Sequence, residues 1–368
     1  MGRSLYEIFR RPVRPNSPRR SVPHELDRLP PLPGARGAQC RTSLIVCPRC
    51  RASEFNLLEA TCRSCGETYS APDGIIDFVG GRSDTALDVE SYDQQKSVSF
   101  EKSVELFDAL KRLAAGAIGD QVDTILEIGA GTGLLTLGML NETEFERALI
   151  TDISPRMLSI CSRRFASLSK EKWSRCVFAT YSGGEDIFGK RQFDLCIANS
   201  VLHHILEYAR IFRSCYDALR SGGVAVFVEP GAVFHEALTL ALAEAIVTLA
   251  ARGEIPRELR IVAAWVEQTR LRLRCSLAEL AQFEDKHLFR REEVAQEGRK
   301  AGFAAVSLTP VTFDPIGENA ARNYLQELGV APKSIGVLMP VYVEHARHAF
   351  SKVAAADASD MYLITLRT

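Results

Sequence analysis

The run Ile125-Leu126-Glu127-Ile128-Gly129-Ala130-Gly131-Thr132-Gly133, followed by an acid at Asp152, constrains this chain more than any other feature. The apolar and acidic residues ahead of Gly129 read as a buried strand. The three alternating glycines let the backbone turn tightly and come close to a ligand. Leu134-Leu135-Thr136-Leu137 resumes helical patterning, and Ala148-Leu149-Ile150-Thr151-Asp152 reads as the next strand. That strand ends on a carboxylate suited to hydrogen-bonding a ribose diol. The pattern points to a nucleoside cofactor.

A dinucleotide fingerprint needs G-x-G-x-x-G, with its third glycine opening a helix beside the pyrophosphate. Here the spacing is G-x-G-x-G and Leu134 stands at the third-glycine position, with no Walker lysine after it. Glu127 would repel a pyrophosphate but suits a cofactor carrying an amino group and a sulfonium. The residues alone therefore favour S-adenosylmethionine, with a nicotinamide or flavin fold and a purely structural turn left open.

Three later segments extend the pattern. Phe193–Ser200 reads as a fourth strand followed by Val201-Leu202-His203-His204-Ile205; Leu219-Arg220-Ser221-Gly222-Gly223 closes a helix; Val224–Pro230 reads as a fifth strand. In this order the chain resembles the class I S-adenosylmethionine-dependent methyltransferases over residues 90–230. The resemblance implies an α/β, Rossmann-like, seven-stranded sheet with helices on both faces. It also implies that Glu127, Gly129, Ala130, Gly131 and Gly133 hold the methionine end of the cofactor and Asp152 the ribose. Ile153 and Met157 would flank the adenine, Asn199 would sit at the cofactor's edge, and Tyr92 would cover it. The family often carries an acid after strand three. Here Tyr181-Ser182-Gly183-Gly184 comes first and Glu185-Asp186 later, so either the loop is longer or Tyr181 or Ser182 takes that contact. For a proton-bearing acceptor the base candidates are His203 and His204, whose side-chain pKa suits neutral pH, with Glu229 a second acidic candidate. One or both histidines could equally hold a loop.

The chain has 368 residues, 46% of them hydrophobic, and a net charge of −1, so its size fits about two domains and charge gives no global reason to expect a polyanion. Ten cysteines without export features suggest a reducing, cytoplasmic setting. Ala237–Ala251 is apolar but short for a membrane span and contains Glu244, so the expectation is a packed helix and no membrane. Pattern divides the chain into an Arg/Pro-rich flexible tail (1–42), a cysteine module (43–80), a linker with cap helices (81–120), the cofactor core (121–230), a helical insertion forming an acceptor lid (231–288) and a C-terminal part (289–368). In the insertion a second helix is expected over Pro256–Leu273, with Arg257, Arg260, Arg270, Arg272 and Arg274 in or beside it. These arginines form either a solvated face or contacts to an anionic substrate. Val306–Phe313 and Met361–Thr368 are expected to close the sheet as an antiparallel pair.

Cys47-Pro48-Arg49-Cys50 and Cys62-Arg63-Ser64-Cys65 form two C-x-x-C knuckles. Four thiolates with no histidine suit a closed, structural zinc site, a zinc ribbon; an iron–sulfur cluster is the alternative. A small-molecule acceptor is the leading expectation. An RNA base, gripped by the ribbon and the basic tail, is the second. A non-catalytic cofactor-binding partner is the third. No D/N-P-P-Y follows strand four, where Ala198-Asn199-Ser200-Val201 stands, which disfavours exocyclic amines of adenine.

Overall fold

The computed structural model describes residues 44–80, 89–96, 98–119, 121–254 and 256–368; the Arg/Pro-rich tail and the first part of the linker lie outside them. The cysteine module contributes a hairpin, β1 (Phe55–Asn56) and β2 (Thr61–Cys62), and a short strand β3 (Ile75–Ile76). Helices α1 (Val89–Lys96) and α2 (Phe100–Leu113) lead into β4 (Thr124–Ile128), α3 (Thr136–Glu142), β5 (Arg147–Asp152) and α4 (Pro155–Leu168). The single turn α5 (Lys170–Trp173), β6 (Cys176–Thr180), β7 (Phe193–Asn199), α6 (Tyr208–Ala218) and β8 (Leu219–Pro230) follow. Then come α7 (Ala232–Ala251), α8 (Leu259–Arg272), α9 (Leu277–Leu280), α10 (Arg291–Ala301), β9 (Ala305–Pro310), α11 (Glu318–Glu327), α12 (Pro332–Ala349) and β10 (Met361–Arg367).

The central sheet runs β3-β6-β5-β4-β7-β8-β10-β9. Strands β3 to β8 pair in parallel, and β10 is antiparallel to both β8 and β9. The inner strands are apolar on both faces because both faces are covered. Leu126, Leu149, Cys196 and Phe227 pack toward α6, α10 and the cysteine module. Their neighbours Ile125, Ile150, Leu195 and Val226 pack toward α2, α3 and α4.

The sheet has eight strands rather than seven. The extra one is β3, which leaves the cysteine module and pairs with the edge strand β6 through Ile75↔Phe178 and Ile76↔Ala179. Covering an edge strand satisfies backbone groups that would otherwise invite another chain. The Thr180 hydroxyl fixes this junction: it accepts from the Phe78 and Val79 N–H groups and donates to Asp77 at 2.7 Å. The cysteine module is therefore woven into the sheet. A second tie joins Leu44 and Val46 to the backbone of Ile187 and Gly189, beside an Arg51–Asp186 ion pair.

Two other local expectations shift. Gly222 and Gly223 lie inside β8 rather than at a helix end, where the pairing with β7 changes register between Phe193 and Leu195. Residues 318–349, assigned from sequence to the C-terminal part of the sheet fold, form α11 and α12, which pack on α7 and α8 around Phe234, Leu238, Leu242, Val262, Leu338 and Tyr342. The lid is thus built from two separate stretches of chain. Helix α7 alone among the described residues is long and apolar enough to cross a membrane, yet 56% of its apolar window is buried within this lid. His345 of α12 bonds Thr248 and faces Glu244 across the helix pair.

Candidate active site

A cavity of about 750 Å³ opens at the carboxyl edge of β4, β5 and β7 and runs under the lid. Its floor is the loop after β4. Gly129, Gly131 and Gly133 have φ of +73°, +55° and +105°, a region costly for any residue with a Cβ. The three serve different ends. A Cβ on Gly129 would lie 2.2 Å from Val201, whereas a Cβ on Gly131 would meet only ordinary contacts, the Tyr92 hydroxyl at 3.7 Å and its ring at 3.9 Å. A Cβ on Gly133 would press on Cys161 and Leu137, so this glycine serves helix packing and lies off the cavity, as does Ala130, whose N–H bonds Thr151.

Asp152 ends β5 beside that loop. One of its oxygens accepts from the Gly131 N–H and the other from the Ser154 N–H, both at 2.8 Å. Burial raises its pKa against those two lowering bonds. Glu127 is buried with Oε2 unpartnered, and burial, opposed by Thr136, lifts its pKa to about 8. Asn199 Oδ1 is likewise buried and unpartnered. Asn199 lines the cavity, whereas Glu127 lies within β4, two residues before Gly129 and outside the cavity lining; together they are the unpartnered acceptors that an adenosyl sulfonium with an ammonium group would satisfy. The residues fit the cofactor.

Ile153 and Met157 line the cavity beside Asp152. Tyr92 comes over the glycine loop from α1, and two residues that pattern alone did not single out hold it there. Asp93 makes a buried two-pronged ion pair with Arg164 at 2.7 and 2.8 Å, and Arg164 also donates to the Thr132 carbonyl. Tyr181 lines the cavity while its ring packs against Phe188. Ser182 donates both its N–H and its hydroxyl to Glu185. The acid that seemed displaced in sequence therefore folds back beside the cavity.

The reacting end is set by the turn after β7, where Ser200 adopts φ +59°. His203 sits on the 3-10 turn Leu202–His204, and its Nδ1 lies 2.6 Å from Glu229 Oε2. Glu229 is fully buried and also accepts from the N–H groups of Val201, Leu202 and His203. It does not face an acceptor directly, contrary to the sequence expectation; at the end of β8 it anchors the turn. Because a carboxylate only accepts, the His203 ring carries its proton on Nδ1 and leaves Nε2 free. His204 is half-exposed, and burial lowers its pKa, with the neighbouring His203 ring acting in the same direction.

Above these groups the lid supplies a wall of Trp265 and Tyr324, rings 4.8 Å apart, with Tyr324 hydroxyl bonded to His235 Nε2 at 2.8 Å. Arg272, Asp285 and Lys286 complete this side. A wider open cleft of about 1770 Å³ lies at the sheet's opposite end, between Arg63 of the cysteine module and Arg147 and Arg175; its lining includes neither histidine nor cysteine.

The four cysteines of the module meet. Cys47 and Cys65 sulfurs are 3.7 Å apart, those of Cys50 and Cys62 3.5 Å, and all four lie within 4.8 Å of one another. Tetrahedral thiolate ligands with bonds of about 2.3 Å stand about 3.8 Å apart, so the set matches a single ion. A cluster of several irons would spread its thiolates further.

A nucleoside-binding sheet with this strand order and a glycine loop at its carboxyl edge defines a Rossmann-like cofactor domain. Residues 126–225 match the family model of a methyltransferase domain, and this part of the chain is a class I S-adenosylmethionine-dependent methyltransferase domain. The chain is 30% identical over 146 residues to a malonyl-[acyl-carrier protein] O-methyltransferase of Marinomonas sp. (strain MWYL1), covering 37% of this chain and 52% of that protein. It is 31% identical over 109 residues to the reducing polyketide synthase Preu2 of Preussia isomera, 28% of this chain and 4% of that one. A solved phosphoethanolamine N-methyltransferase 2 of Haemonchus contortus superposes with a TM-score of 0.41 at 16% identity, over 77% of this chain and 60% of that one. The chain thus spans about half the length of the first curated relative and a few per cent of the second.

Proposed function

We propose that this protein transfers a methyl group from S-adenosylmethionine to a small-molecule acceptor held between the end of β7 and the lid. The observation that carries this reading is the His203–Glu229 pair at 2.6 Å in the same cavity as the glycine loop and Asp152. The printed names of the relatives, an O-methyltransferase acting on an acyl-carrier-bound acid and a polyketide synthase, support an acyl-type acceptor.

In this reading Asp152 holds the ribose, and Glu127 and Asn199 take the donors of the methionine end. Tyr92, clamped by Asp93–Arg164, covers the site and excludes water. The bound cofactor supplies a methyl group on positively charged sulfur, open to in-line displacement by an acceptor nucleophile. His203 Nε2 takes the proton that the acceptor loses as its new bond to the methyl carbon forms. Glu229 is a positioning residue: it fixes the ring's tautomer and steadies the imidazolium. Alignment and charge complementarity supply the rest of the acceleration. Cys47, Cys50, Cys62 and Cys65 hold a structural zinc ion, closed to substrate by its four sulfurs.

The test is incubation with methyl-labelled S-adenosylmethionine and fractionated cell extract. Label in a low-molecular-weight acid or thioester fraction is expected. Label confined to RNA, or to protein in a form that thioester cleavage does not release, overturns the small-molecule acceptor.

A further inference from the structure

The lid side of the cavity holds a charge whose partners are incomplete. Arg272 ends α8 with its side chain only 10% exposed. Of its guanidinium N–H groups, one donates to the His287 carbonyl at 3.2 Å, and Nε is buried with no hydrogen-bond partner. The carboxylate beside it, Asp285, stands 3.8 Å away and is half-exposed. A buried guanidinium with five donors and so few acceptors carries an uncompensated desolvation cost. The exposed arginines of the same segment, Arg257, Arg260 and Arg274, face solvent and bear no such cost.

Asp285 occupies a telling place. While Oδ2 faces Arg272, Oδ1 lies 3.7 Å from His203 Nε2 and 3.4 Å from His204 Nδ1. One carboxylate thus sits among three nitrogen-bearing groups without the short, paired geometry that an arginine–carboxylate contact reaches at about 2.8 Å. It belongs to the irregular segment between α9 and α10, outside regular secondary structure. The same three groups, His203, His204 and Asp285, also form a donor set that could hold a divalent ion. The Arg272 charge, against that same carboxylate, opposes a second cation there.

We propose that the acceptor is a carboxylic acid whose carboxylate pairs with Arg272, Asp285 marking that position and swinging aside when the acid binds. Because His203 and Arg272 approach the same side chain, the methylated atom is a proton-bearing nucleophile, a hydroxyl or an amine, within a few bonds of that carboxylate, so that His203 Nε2 has a proton to take. This rests on the proposed methyl-transfer site and names its substrate class.

The experiment uses the full chain saturated with S-adenosylhomocysteine and two probes of matching shape, glutarate and its uncharged diamide glutaramide, titrated by ligand-observed NMR. Saturable glutarate binding, at least about tenfold tighter than glutaramide, is expected, since a charge-assisted contact contributes about 1.5 kcal/mol or more. Arg272→Gln should remove that preference and Arg272→Lys should retain part of it. Asp285→Asn, which removes the competing carboxylate, should tighten glutarate several-fold. S-adenosylhomocysteine affinity should stay unchanged in all three variants, which shows that the fold is intact. Equal binding of the two probes, no saturable glutarate binding, or a preference indifferent to Arg272→Gln overturns the proposal. Stoichiometric Mn²⁺ binding that Asp285→Asn abolishes overturns it in favour of a cation site. Failure of wild-type protein to bind S-adenosylhomocysteine would instead strike the cofactor reading on which it rests.

Discussion

The two halves of the cavity are built on opposite plans. The cofactor half comes from short contiguous stretches: the β4 loop, the end of β5 and the end of β7. Its contacts are mostly backbone-defined, with the glycine φ values and the Asp152 bonds fixing the shape. The acceptor half gathers His203, Arg272, Asp285 and Tyr324 from segments far apart in sequence, and its contacts are made by side chains. A backbone cradle suits one invariant ligand. A side-chain wall on an added helical layer can change with the acceptor while the sheet stays the same.

If that division holds, damage to one half should leave the other's ligand alone, and metal loss offers the largest test. The cysteine module feeds β3 into the sheet edge and meets Thr180, next to Tyr181 and Ser182 of the cofactor half. Chelation, or Cys62→Ser, should unfold the module, since a structural zinc site supplies about 10 kcal/mol or more of apparent folding energy. Hydrogen exchange should then rise at Ile75–Ile76 and Cys176–Thr180 but not in α7 or α12. Equal deprotection of the lid would break the comparison.

Next in size are changes at the glycine floor. Gly129→Ala places a Cβ 2.2 Å from Val201 at φ +73°, so both stability and cofactor binding should fall together. Gly131→Ala clashes with nothing and touches only Tyr92 at 3.7 Å, so it should weaken binding with a smaller loss of stability. Calorimetric affinity read beside the melting temperature separates the two; indistinguishable variants would mean the loop does not form the cradle.

On the acceptor side, His203→Ala should lower kcat by roughly a hundred- to ten-thousand-fold with cofactor affinity unchanged, the usual range for removing a general base. Glu229→Gln should lower kcat less and shift the pH profile, because the ring keeps its place but loses the partner that fixes its proton. Asp152→Ala should do the reverse of His203→Ala, costing about 1.5–3 kcal/mol of cofactor affinity, the range for a hydrogen bond to a charged group. A His203→Ala enzyme that binds cofactor poorly would erase the boundary between the halves.

The same contrast explains what was legible in the sequence. The β4 loop, Asp152 and the cysteine knuckles could be read because each is a local pattern with a local physical cause, φ or ligand spacing. Asp93 and Arg164 left no such mark, since their pairing spans 71 residues and each looks like an ordinary helical charge. Arg272 was one of five arginines with nothing in the pattern to say which was buried. Residues 318–349 carry ordinary amphipathic spacing, which says that a face is covered but not by what. Strand β3 has two residues, too few to show periodicity, so its place in the sheet follows from tertiary pairing alone.

The smallest expected effect is a proton. Burial holds the Glu127 carboxyl at about 8, well above the ordinary carboxylate value, so the protein alone at pH 7 keeps it protonated. The stability it contributes is complete in acid and declines as pH rises toward about 8, because over that range the unfolded chain gives up this proton while the folded chain must keep it. A ligand ammonium placed against Oε2 restores the ionised form, so S-adenosylmethionine binding at pH 7 should release close to one proton per site. Calorimetry in two buffers of different ionisation enthalpy measures this directly, and Glu127→Gln should abolish it. The acceptor half contributes no comparable proton to this step, so buffer-independent heats in the wild-type protein would mean that Glu127 does not meet the cofactor.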